Sequence, residues 1–309
     1  MPNQARAKPE RWTTRRLLVW MAEAFAAEGL DSPRLMAEMI VSHVIGCERL
    51  RLYMEGDRPA APLELDRLRE LTARALKHEP VQYLTGEAWF FGLGFRVDRR
   101  VLIPRPSSET IVERVFEHCR AAPGFGGTTG QGVLIADVCT GSACIAVALA
   151  KNLPGARVVA TDISHDALEI AAENLARHGV SDRIDLLAGD LLSPLHEHPA
   201  TSGRGSLHYL VSNPPYIPDA EWNRVEANVK NHEPTVALRG GGDGLSYVRE
   251  VLEGAAGLLR PGGLVLVELA ESTADEAEAI TRGQAGLADV EVIADFEGRA
   301  RVVCARREA

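Results

Sequence analysis

From Val133 onward, short apolar segments alternate regularly with helical segments, and this alternation constrains the fold more than any other feature of the sequence. The predicted strands cover residues 133–138, 157–162, 184–188, 207–211 and 264–269, with two closing strands near 290–295 and 301–305. A helix is predicted between most consecutive strands. Regular βα alternation produces a doubly wound sheet with its ligand over the carboxyl ends of the strands. We therefore predict an α/β fold with a seven-stranded, mostly parallel sheet.

The fourth predicted strand ends in Ser212-Asn213-Pro214-Pro215-Tyr216, which is a rare way to leave a sheet. Both prolines lack an N–H group and bias the preceding residue away from helix, so the turn is stiff and extended. The Asn213 side-chain oxygen and the Pro214 carbonyl can each accept one hydrogen from a planar NH2 group, and Tyr216 can pack over its plane. A simple strand-ending turn is the alternative, but asparagine fits a buried strand end poorly without a partner.

We therefore predict that Asn213, Pro214, Pro215 and Tyr216 bind the substrate, and that Asn213, Pro214 and Tyr216 take part in catalysis. The planar group is either a nucleic-acid base or a protein amide, because the turn alone does not distinguish the two.

Three further features converge on the same edge of the predicted sheet. Residues 137–143 form a tight strand-to-helix loop, in which Gly141 permits close backbone approach and the helix N-terminus supplies N–H groups. Asp162 ends the second strand, where its carboxylate can accept from both hydroxyls of a ribose, and Asp190 follows the third strand near the position of an adenine amino group.

An acid at a strand end is more often a helix cap, so the prediction depends on the order and spacing of these residues together. Gly141 is the only glycine of a dinucleotide fingerprint present, which favours S-adenosylmethionine over a nicotinamide. The predicted cofactor-binding residues are Asp137, Cys139, Thr140, Gly141, Ser142, Ala143, Asp162, Ile163, Asp190, Leu191 and Asn213.

The sequence divides into three segments by its periodicity. Residues 1–86 carry apolar positions at helical spacing and no catalytic constellation, so we predict a bundle of four or five helices that recognises substrate, preceded by a polar, mostly basic tail over Met1–Arg16. Residues 87–104 are predicted to form a β-hairpin linker, because Trp89 to Ile103 alternate with period two. Residues 105–309 are then the catalytic domain.

The composition narrows the class of protein further. A formal net charge of −9 argues against a broad nucleic-acid surface, and no apolar run reaches the roughly 18 residues that a membrane span needs. Five scattered cysteines without a CxxC pair indicate reduced thiols and a cytoplasmic location. His196 and His198 have no further ligands nearby. We predict no metal, no membrane partner and no requirement for nucleic acid.

Several additional segments complete a recognisable pattern: Pro80-Val81-Gln82-Tyr83-Leu84-Thr85-Gly86, Leu102-Ile103-Pro104-Arg105-Pro106 with Glu109, Glu233-Pro234 with Gly241-Gly242-Asp243-Gly244-Leu245, Pro261-Gly262-Gly263, and Asp295 with Arg301-Val302-Val303. Together with the cofactor loop and Asn213 to Tyr216, they resemble the HemK/PrmC family of protein glutamine methyltransferases over nearly the whole chain. The resemblance implies a class I S-adenosylmethionine-dependent methyltransferase fold. It also implies a substrate, the glutamine of the Gly-Gly-Gln loop in peptide chain release factors.

The chain departs from the family pattern at several positions. The family loop usually reads Asp-x-Gly-Thr-Gly-Ser-Gly, whereas Cys139 and Ala143 replace two of its glycines here. Ala270 also replaces a glycine, and Ser107-Ser108 replace the usual Asp-Thr.

These departures leave three alternatives open. Cys139 resembles the branch that methylates a large-subunit ribosomal protein, while Arg105-Pro106 and Arg301-Val302 resemble the release-factor branch. An adenine-N6 DNA methyltransferase shares Asn-Pro-Pro-Tyr but would need a duplex-binding surface. The third alternative is a non-catalytic binding protein whose altered loop no longer holds the cofactor.

Overall fold

A computed structural model describes residues 11–309, which form two compact units. The first unit runs up to Gly86 and also includes Ala227–His232, and the second comprises Glu87–Glu226 and Glu233–Ala309. Residues 1–10 of the predicted tail lie outside the described residues. The end of that predicted tail, from Thr14 onward, belongs to the first helix.

The described part of the first unit is helical. Its helices are α1 (Thr14–Ala27), α2 (Pro33–Ile45), α3 (Arg49–Met54), α4 (Pro62–Ala75) and α5 (Val81–Thr85), with a one-turn helix at Ala227–Lys230. The core between them consists of apolar side chains, among them Leu17, Met21, Phe25, Ile40, Leu68 and Leu71. The helical spacing of the apolar residues in the sequence therefore reflects real helix faces.

Two helix ends in this unit differ in how they are capped. Thr13 caps α1 by accepting a hydrogen bond from the Arg16 backbone N–H at 3.4 Å. Ser32 is of a residue type that commonly caps helices, but it makes no capping hydrogen bond to α2 and adopts a left-handed conformation with φ of +47°. Gly46 ends the same helix at φ of +73°, as expected for a glycine C-cap.

The second unit is built on a seven-stranded sheet. A separate hairpin of β1 (Glu87–Phe90) and β2 (Leu93–Arg96) precedes the sheet strands, which are β3 (Leu134–Val138), β4 (Arg157–Asp162), β5 (Ile184–Ala188), β6 (Leu207–Ser212), β7 (Leu259–Glu268), β8 (Leu287–Ala294) and β9 (Ala300–Arg307). The strand order is β5-β4-β3-β6-β7-β9-β8. The neighbouring strands β5, β4, β3, β6 and β7 are parallel to one another, and β9 runs antiparallel to both β7 and β8. The predicted α/β fold with a mostly parallel sheet is confirmed.

Helices cover both faces of this sheet. They are α6 (Glu109–Ala121), α7 (Cys144–Asn152), α8 (His165–His178), α9 (Ser193–Glu197), α10 (Ser246–Leu258) and α11 (Ala274–Arg282). Side chains of α6, α7 and α8 join one buried cluster with Ile135 and Val158, and side chains of α9, α10 and α11 join another with Val159 and Val265. Alternate residues of the central strands therefore face opposite cores, which makes the sheet doubly wound.

The strand pattern predicted up to Ile103 is wrong beyond Arg96. Phe91 and Gly92 form the hairpin turn, with φ of +50° and +72°, while Gly94 lies inside β2. After β2, the Asp98 side chain accepts the Arg100 backbone N–H at 3.0 Å and its carbonyl accepts that of Val101 at 3.1 Å. Asp98 thus closes a turn where the sequence pattern suggested a continuing strand.

Among residues 11–309, none of the helices has both the length and the apolar character needed to cross a membrane.

Candidate active site

The site lies at the carboxyl edge of the parallel strands. From β3 the chain adds β4 and β5 on one side, and β6 then pairs with β3 on the other. A crevice forms at such a reversal of strand order, and ligands of open α/β sheets bind there. The loops that leave β3, β4 and β6 after Val138, Asp162 and Ser212 form its rim.

A cleft of about 750 Å³, which includes space open to solvent, occupies this position. The predicted site residues that line it are Cys139, Gly141, Asp162, Ile163, Asp190, Leu191, Asn213 and Pro215. The predicted site residues that do not line it are Asp137, Thr140, Ser142, Ala143, Pro214 and Tyr216. Each predicted loop therefore contributes residues to the cleft wall, while other predicted residues of the same loops lie behind it.

The loop after β3 contains three residues in left-handed backbone conformations. Their φ angles are +61° at Cys139, +54° at Gly141 and +62° at Ala143. A residue with a side chain pays on the order of 1–2 kcal/mol to enter this region. The loop geometry explains why glycine is usual at positions 139 and 143, and the two side chains keep the same conformation. A Cβ at Gly141 would meet no atom within 4 Å, so its backbone is open to a ligand.

Asp137 supports this loop from behind. Its Oδ2 accepts the Thr140 hydroxyl at 2.7 Å and the Ala146 backbone N–H at 3.1 Å. Burial raises the pKa of Asp137 to about 7, although these two hydrogen bonds oppose the shift. Its Oδ1 is buried without a partner among the described residues. Asp137 therefore organises the start of α7 rather than forming part of the cleft wall.

Asp162 connects the loops that follow β3 and β4. Its Oδ2 accepts the Gly141 backbone N–H at 2.8 Å, and its Oδ1 accepts the Ser164 backbone N–H at 2.9 Å. Burial raises the pKa of Asp162, against the effect of these hydrogen bonds. Each carboxylate oxygen has a further lone pair, so Asp162 can accept two more hydrogen bonds from a ligand in the cleft.

Apolar side chains form another part of the cleft wall. Ile163 and Val236 line it with 57% and 54% of their surface exposed. Leu102 and Pro234 add to this surface. Exposed aliphatic side chains inside a cleft favour a ligand with an apolar, flat face, which would remove them from water.

The Asn-Pro-Pro-Tyr turn enters the cleft from the end of β6. The Ser212 hydroxyl donates to the Val138 carbonyl at 2.8 Å, which ties the ends of β6 and β3 together. Asn213 Nδ2 donates to Ser108 Oγ at 3.0 Å, while Asn213 Oδ1 has no partner among the described residues. Since Asn213 lines the cleft, its oxygen is available to a substrate. Pro214 is buried and Pro215 lines the cleft wall.

Tyr216 lies behind this turn. Its hydroxyl donates to Glu268 Oε1 at 3.2 Å. Burial, followed by the charge of Glu268, raises the pKa of Tyr216, so its phenol stays protonated at neutral pH. The structure thus places Tyr216 as a donor to a buried carboxylate, which the sequence did not predict.

Glu268 is a site residue that the sequence analysis missed. It ends β7, is fully buried, and accepts from the Ser108 hydroxyl at 2.5 Å and the Ser107 hydroxyl at 3.3 Å. Burial raises its pKa, and the hydrogen bonds from Ser108 and Tyr216 oppose that shift. A charged residue that closes an apolar strand is the signal that could have found it, because carboxylates are rarely fully buried.

A second buried carboxylate, Glu233, holds the segment before α6. Its Oε1 pairs with Arg105 Nη2 at 2.5 Å, and its Oε2 accepts the Ile103 backbone N–H at 3.1 Å. The neighbouring residues Leu102 and Pro234 both line the cleft. This pair therefore fixes two loops of the cleft wall and explains why Arg105 and Glu233 belong to one sequence pattern.

No group of three or more His, Cys, Asp or Glu side chains suited to a metal ion occurs in the described part of the chain. The site consists instead of hydrogen-bond acceptors, exposed backbone and apolar surface.

Known protein families match both parts of the chain. The family described as PrmC N-terminal domain matches residues 16–86, and the family described as Methyltransferase small domain matches residues 128–281.

Individual proteins match over nearly the full length. The release factor glutamine methyltransferase of Chlorobaculum tepidum is 42% identical over 285 residues, which cover 92% of this chain and 94% of that protein. The protein of the same name from Geobacter sulfurreducens is 40% identical over 299 residues, which cover 97% and 98%. A solved methyltransferase from Pyrococcus furiosus shares the fold, with a TM-score of 0.50 and 18% identity over 81% of this chain and 100% of that chain.

Proposed function

The chain belongs to the release factor glutamine methyltransferase family, and we propose its activity from that premise. It transfers a methyl group from S-adenosylmethionine to the side-chain amide nitrogen of the glutamine in the Gly-Gly-Gln motif of peptide chain release factors. The observation that carries the proposal is the state of Asn213, whose Nδ2 is bound by Ser108 while its Oδ1 is available in the cleft. An acceptor in this position suits a substrate that offers an NH2 group.

The residues of the cleft fit S-adenosylmethionine. Asp162 has lone pairs left for the two ribose hydroxyls, and the open space at Gly141 admits a ligand close to the backbone. Ile163 and Val236 supply the exposed apolar surface that an adenine ring would cover, and Asp190 lies in the same wall. S-adenosylmethionine, when bound, supplies a methyl group on a positively charged sulfonium sulfur, which leaves readily as a neutral thioether when the methyl group is transferred.

The remaining task of the protein is to orient a poor nucleophile. The lone pair of an amide nitrogen is delocalised into its carbonyl, so the nitrogen must be held in line with the methyl group. We propose that Asn213 Oδ1 and the Pro214 carbonyl each accept one hydrogen of the glutamine NH2. Orientation of this kind lowers the barrier by removing rotational freedom before reaction.

A strong general base is not required at this site. The amide proton becomes acidic only as the new bond forms, so it leaves late. Tyr216 lies behind the cleft wall, stays protonated and donates to Glu268, so it does not act as a base.

We propose that the helices before Gly86 recognise the protein substrate. The described part of this unit carries large apolar side chains in water, with Leu50, Met54 and Leu63 exposed by 70%, 78% and 84%. Leu50 and Met54 lie one turn apart on α3, and adjoining exposed apolar side chains are typical of protein recognition. We also propose a cytoplasmic location, supported by the free thiols of all the cysteines, which are Cys47, Cys119, Cys139, Cys144 and Cys304.

Mass spectrometry tests the activity directly. The protein is incubated with S-adenosylmethionine and a release factor, and the tryptic peptide containing Gly-Gly-Gln is sequenced. We expect one added methyl group on the glutamine side chain and none on a release factor in which that glutamine is replaced by alanine. A large-subunit ribosomal protein and adenine-containing duplex DNA serve as competing substrates. Methylation of either of them, with the release factor unmodified, would overturn the assignment.

A further inference from the structure

The orientation of the Asn213 side chain depends on hydrogen bonds that end at a buried carboxylate. We propose that Glu268, acting through Ser108, is a positioning residue that makes Asn213 present its oxygen, and not its NH2 group, to the substrate. This inference rests on the proposed function, because the oxygen matters only if the substrate is an N–H donor. It assigns a role to two residues that lie outside the Asn-Pro-Pro-Tyr turn.

The first step of the argument concerns Glu268. Hydroxyl groups contact both carboxylate oxygens of Glu268, and hydrogen bonds of this kind favour the ionised form, which can only accept. The three hydroxyls that contact it must therefore donate, and they belong to Ser107, Ser108 and Tyr216. The contact from Ser108 is the shortest, at 2.5 Å from Oγ to Oε2.

The second step concerns Ser108. A serine hydroxyl has one proton, and here that proton is given to Glu268. Toward Asn213, Ser108 Oγ can then only accept, so the atom 3.0 Å away must be the Nδ2 donor. A rotated amide would place Oδ1 against a lone pair and leave Asn213 Nδ2 facing the substrate NH2.

The third step is the exclusion of water from the contact between Ser108 and Glu268. Ser108 and Glu268 are 1% and 0% exposed, so solvent does not reach the link between them. The polarity of Asn213, by which we mean that Nδ2 faces Ser108 and Oδ1 faces the cleft, is therefore set inside the protein before any substrate binds. Preorganisation of this kind removes a reorientation step from the reaction.

Variants at Ser108 test the proposal, with Ser107 as a matched control on the same carboxylate. Ser107 contacts Glu268 Oε1 but has no hydrogen bond to Asn213 among the described residues. We expect Ser108→Ala to lower kcat by about ten- to hundred-fold with little change in the cofactor Kd. Ser108→Thr keeps the hydroxyl and should stay within about fivefold of the parent, and Ser107→Ala within about threefold. The proposal would be overturned if the kcat of Ser108→Ala were no lower than that of Ser107→Ala. It would also be overturned if Ser108→Thr lost as much kcat as Ser108→Ala.

Glu268→Gln provides a second test, because its amide can donate as well as accept and no longer dictates the direction of the Ser108 hydroxyl. We expect a kcat loss like that of Ser108→Ala. A double variant that combines Ser108→Ala with Glu268→Gln should have a kcat no lower than that of the slower single variant, because both changes break the same hydrogen-bonded link to Asn213. Losses that multiply would show independent roles and refute the link.

A measurement without turnover separates this inference from the proposed function. In ¹⁵N-labelled protein, the Asn213 side-chain NH2 signal is assigned by its loss in Asn213→Asp. The signal should shift in Ser108→Ala and Glu268→Gln but not in Ser107→Ala. If these shifts occur but the parent methylates no release factor, the proposed substrate is wrong while the proposed orientation of Asn213 is supported. An unchanged signal in both variants refutes the polarity whatever the activity.

Discussion

Replacing Asp162 by alanine should weaken cofactor binding more than any other single change in the cleft wall. The carboxylate bridges the Gly141 and Ser164 backbone N–H groups at 2.8 and 2.9 Å, which leaves one lone pair on each oxygen for the ribose hydroxyls. Removing it deletes both acceptors at once. It also frees the loop after β3 from the start of α8.

The magnitude follows from the number and kind of hydrogen bonds lost. A hydrogen bond to a charged group contributes about 1.5–3 kcal/mol net. Each 1.4 kcal/mol corresponds to about tenfold in Kd, so one such loss gives about ten- to hundred-fold weaker binding. The cost to folding should be smaller. Burial raises the pKa of Asp162, so its removal also relieves a desolvation penalty that offsets the two lost backbone contacts.

Calorimetric titration with S-adenosylmethionine measures the effect. Asp185→Ala is the control, because Asp185 lies on β5 outside the cleft and pairs with Arg157 at the surface. Binding within threefold of the parent, with an intact thermal transition, would place the ribose elsewhere and refute the reasoning.

The same carboxylate predicts a pH dependence. Asp162 can accept a hydroxyl hydrogen on each of its two oxygens only when it is ionised, because a protonated carboxyl turns one oxygen into a donor. Burial raises its pKa above that of an ordinary aspartate. Cofactor affinity should therefore fall as the pH is lowered through this raised pKa, at a higher pH than an ordinary aspartate would produce. In Asp162→Ala, the affinity should be low at every pH and lack that acidic limb.

Three further predictions concern substrate, domain and loop. Asn213→Ala should lower turnover by about a hundred-fold or more with cofactor affinity nearly unchanged, since Asn213 orients the substrate amide; turnover within a few-fold of the parent would contradict this. A chain beginning at Glu87 should still bind cofactor but methylate an intact release factor poorly, and full turnover by it would exclude substrate recognition by the helices before Gly86. Ala143→Gly should change the free energy of unfolding by less than about 1 kcal/mol, because relief of about 1–2 kcal/mol of left-handed strain is offset by the entropy of glycine and a lost methyl contact; chemical denaturation measures it.

The sequence predicted the sheet well because its signals are local. Each strand from β3 to β6 is a short apolar run, and α8 carries both of its end signals, with Ser164 accepting the Ala167 N–H at 3.2 Å and Gly179 at φ of +65°. The position of the cleft followed from the order of these elements. Each of these features can be recognised in the sequence without knowing which distant residues contact one another in the fold.

What the sequence did not predict depends on contacts between distant residues. Glu268, Ser108 and Asn213 are far apart in the chain, and their hydrogen bonds form only once β6, β7 and the start of α6 are packed. Periodicity carries no information about such a link. For the same reason the sequence assigned Asp137 to the cleft, although its carboxylate turns back to hold Thr140 and Ala146.

The altered cofactor loop bears on whether the protein is an enzyme at all. A non-catalytic alternative requires that Cys139 and Ala143 have distorted the loop. Both residues instead adopt the left-handed conformation that glycine favours, at φ of +61° and +62°, and Gly141 between them keeps its hydrogen bond to Asp162 at 2.8 Å. The substitutions therefore add strain of about 1–2 kcal/mol each, and the backbone N–H of Gly141 remains bonded to Asp162. Strain at a ligand loop is stabilised by the surrounding packing, here by the fully buried Ala143. The loop thus departs from the family in sequence, while its backbone takes the conformations that glycine favours and Gly141 stays open toward the cleft.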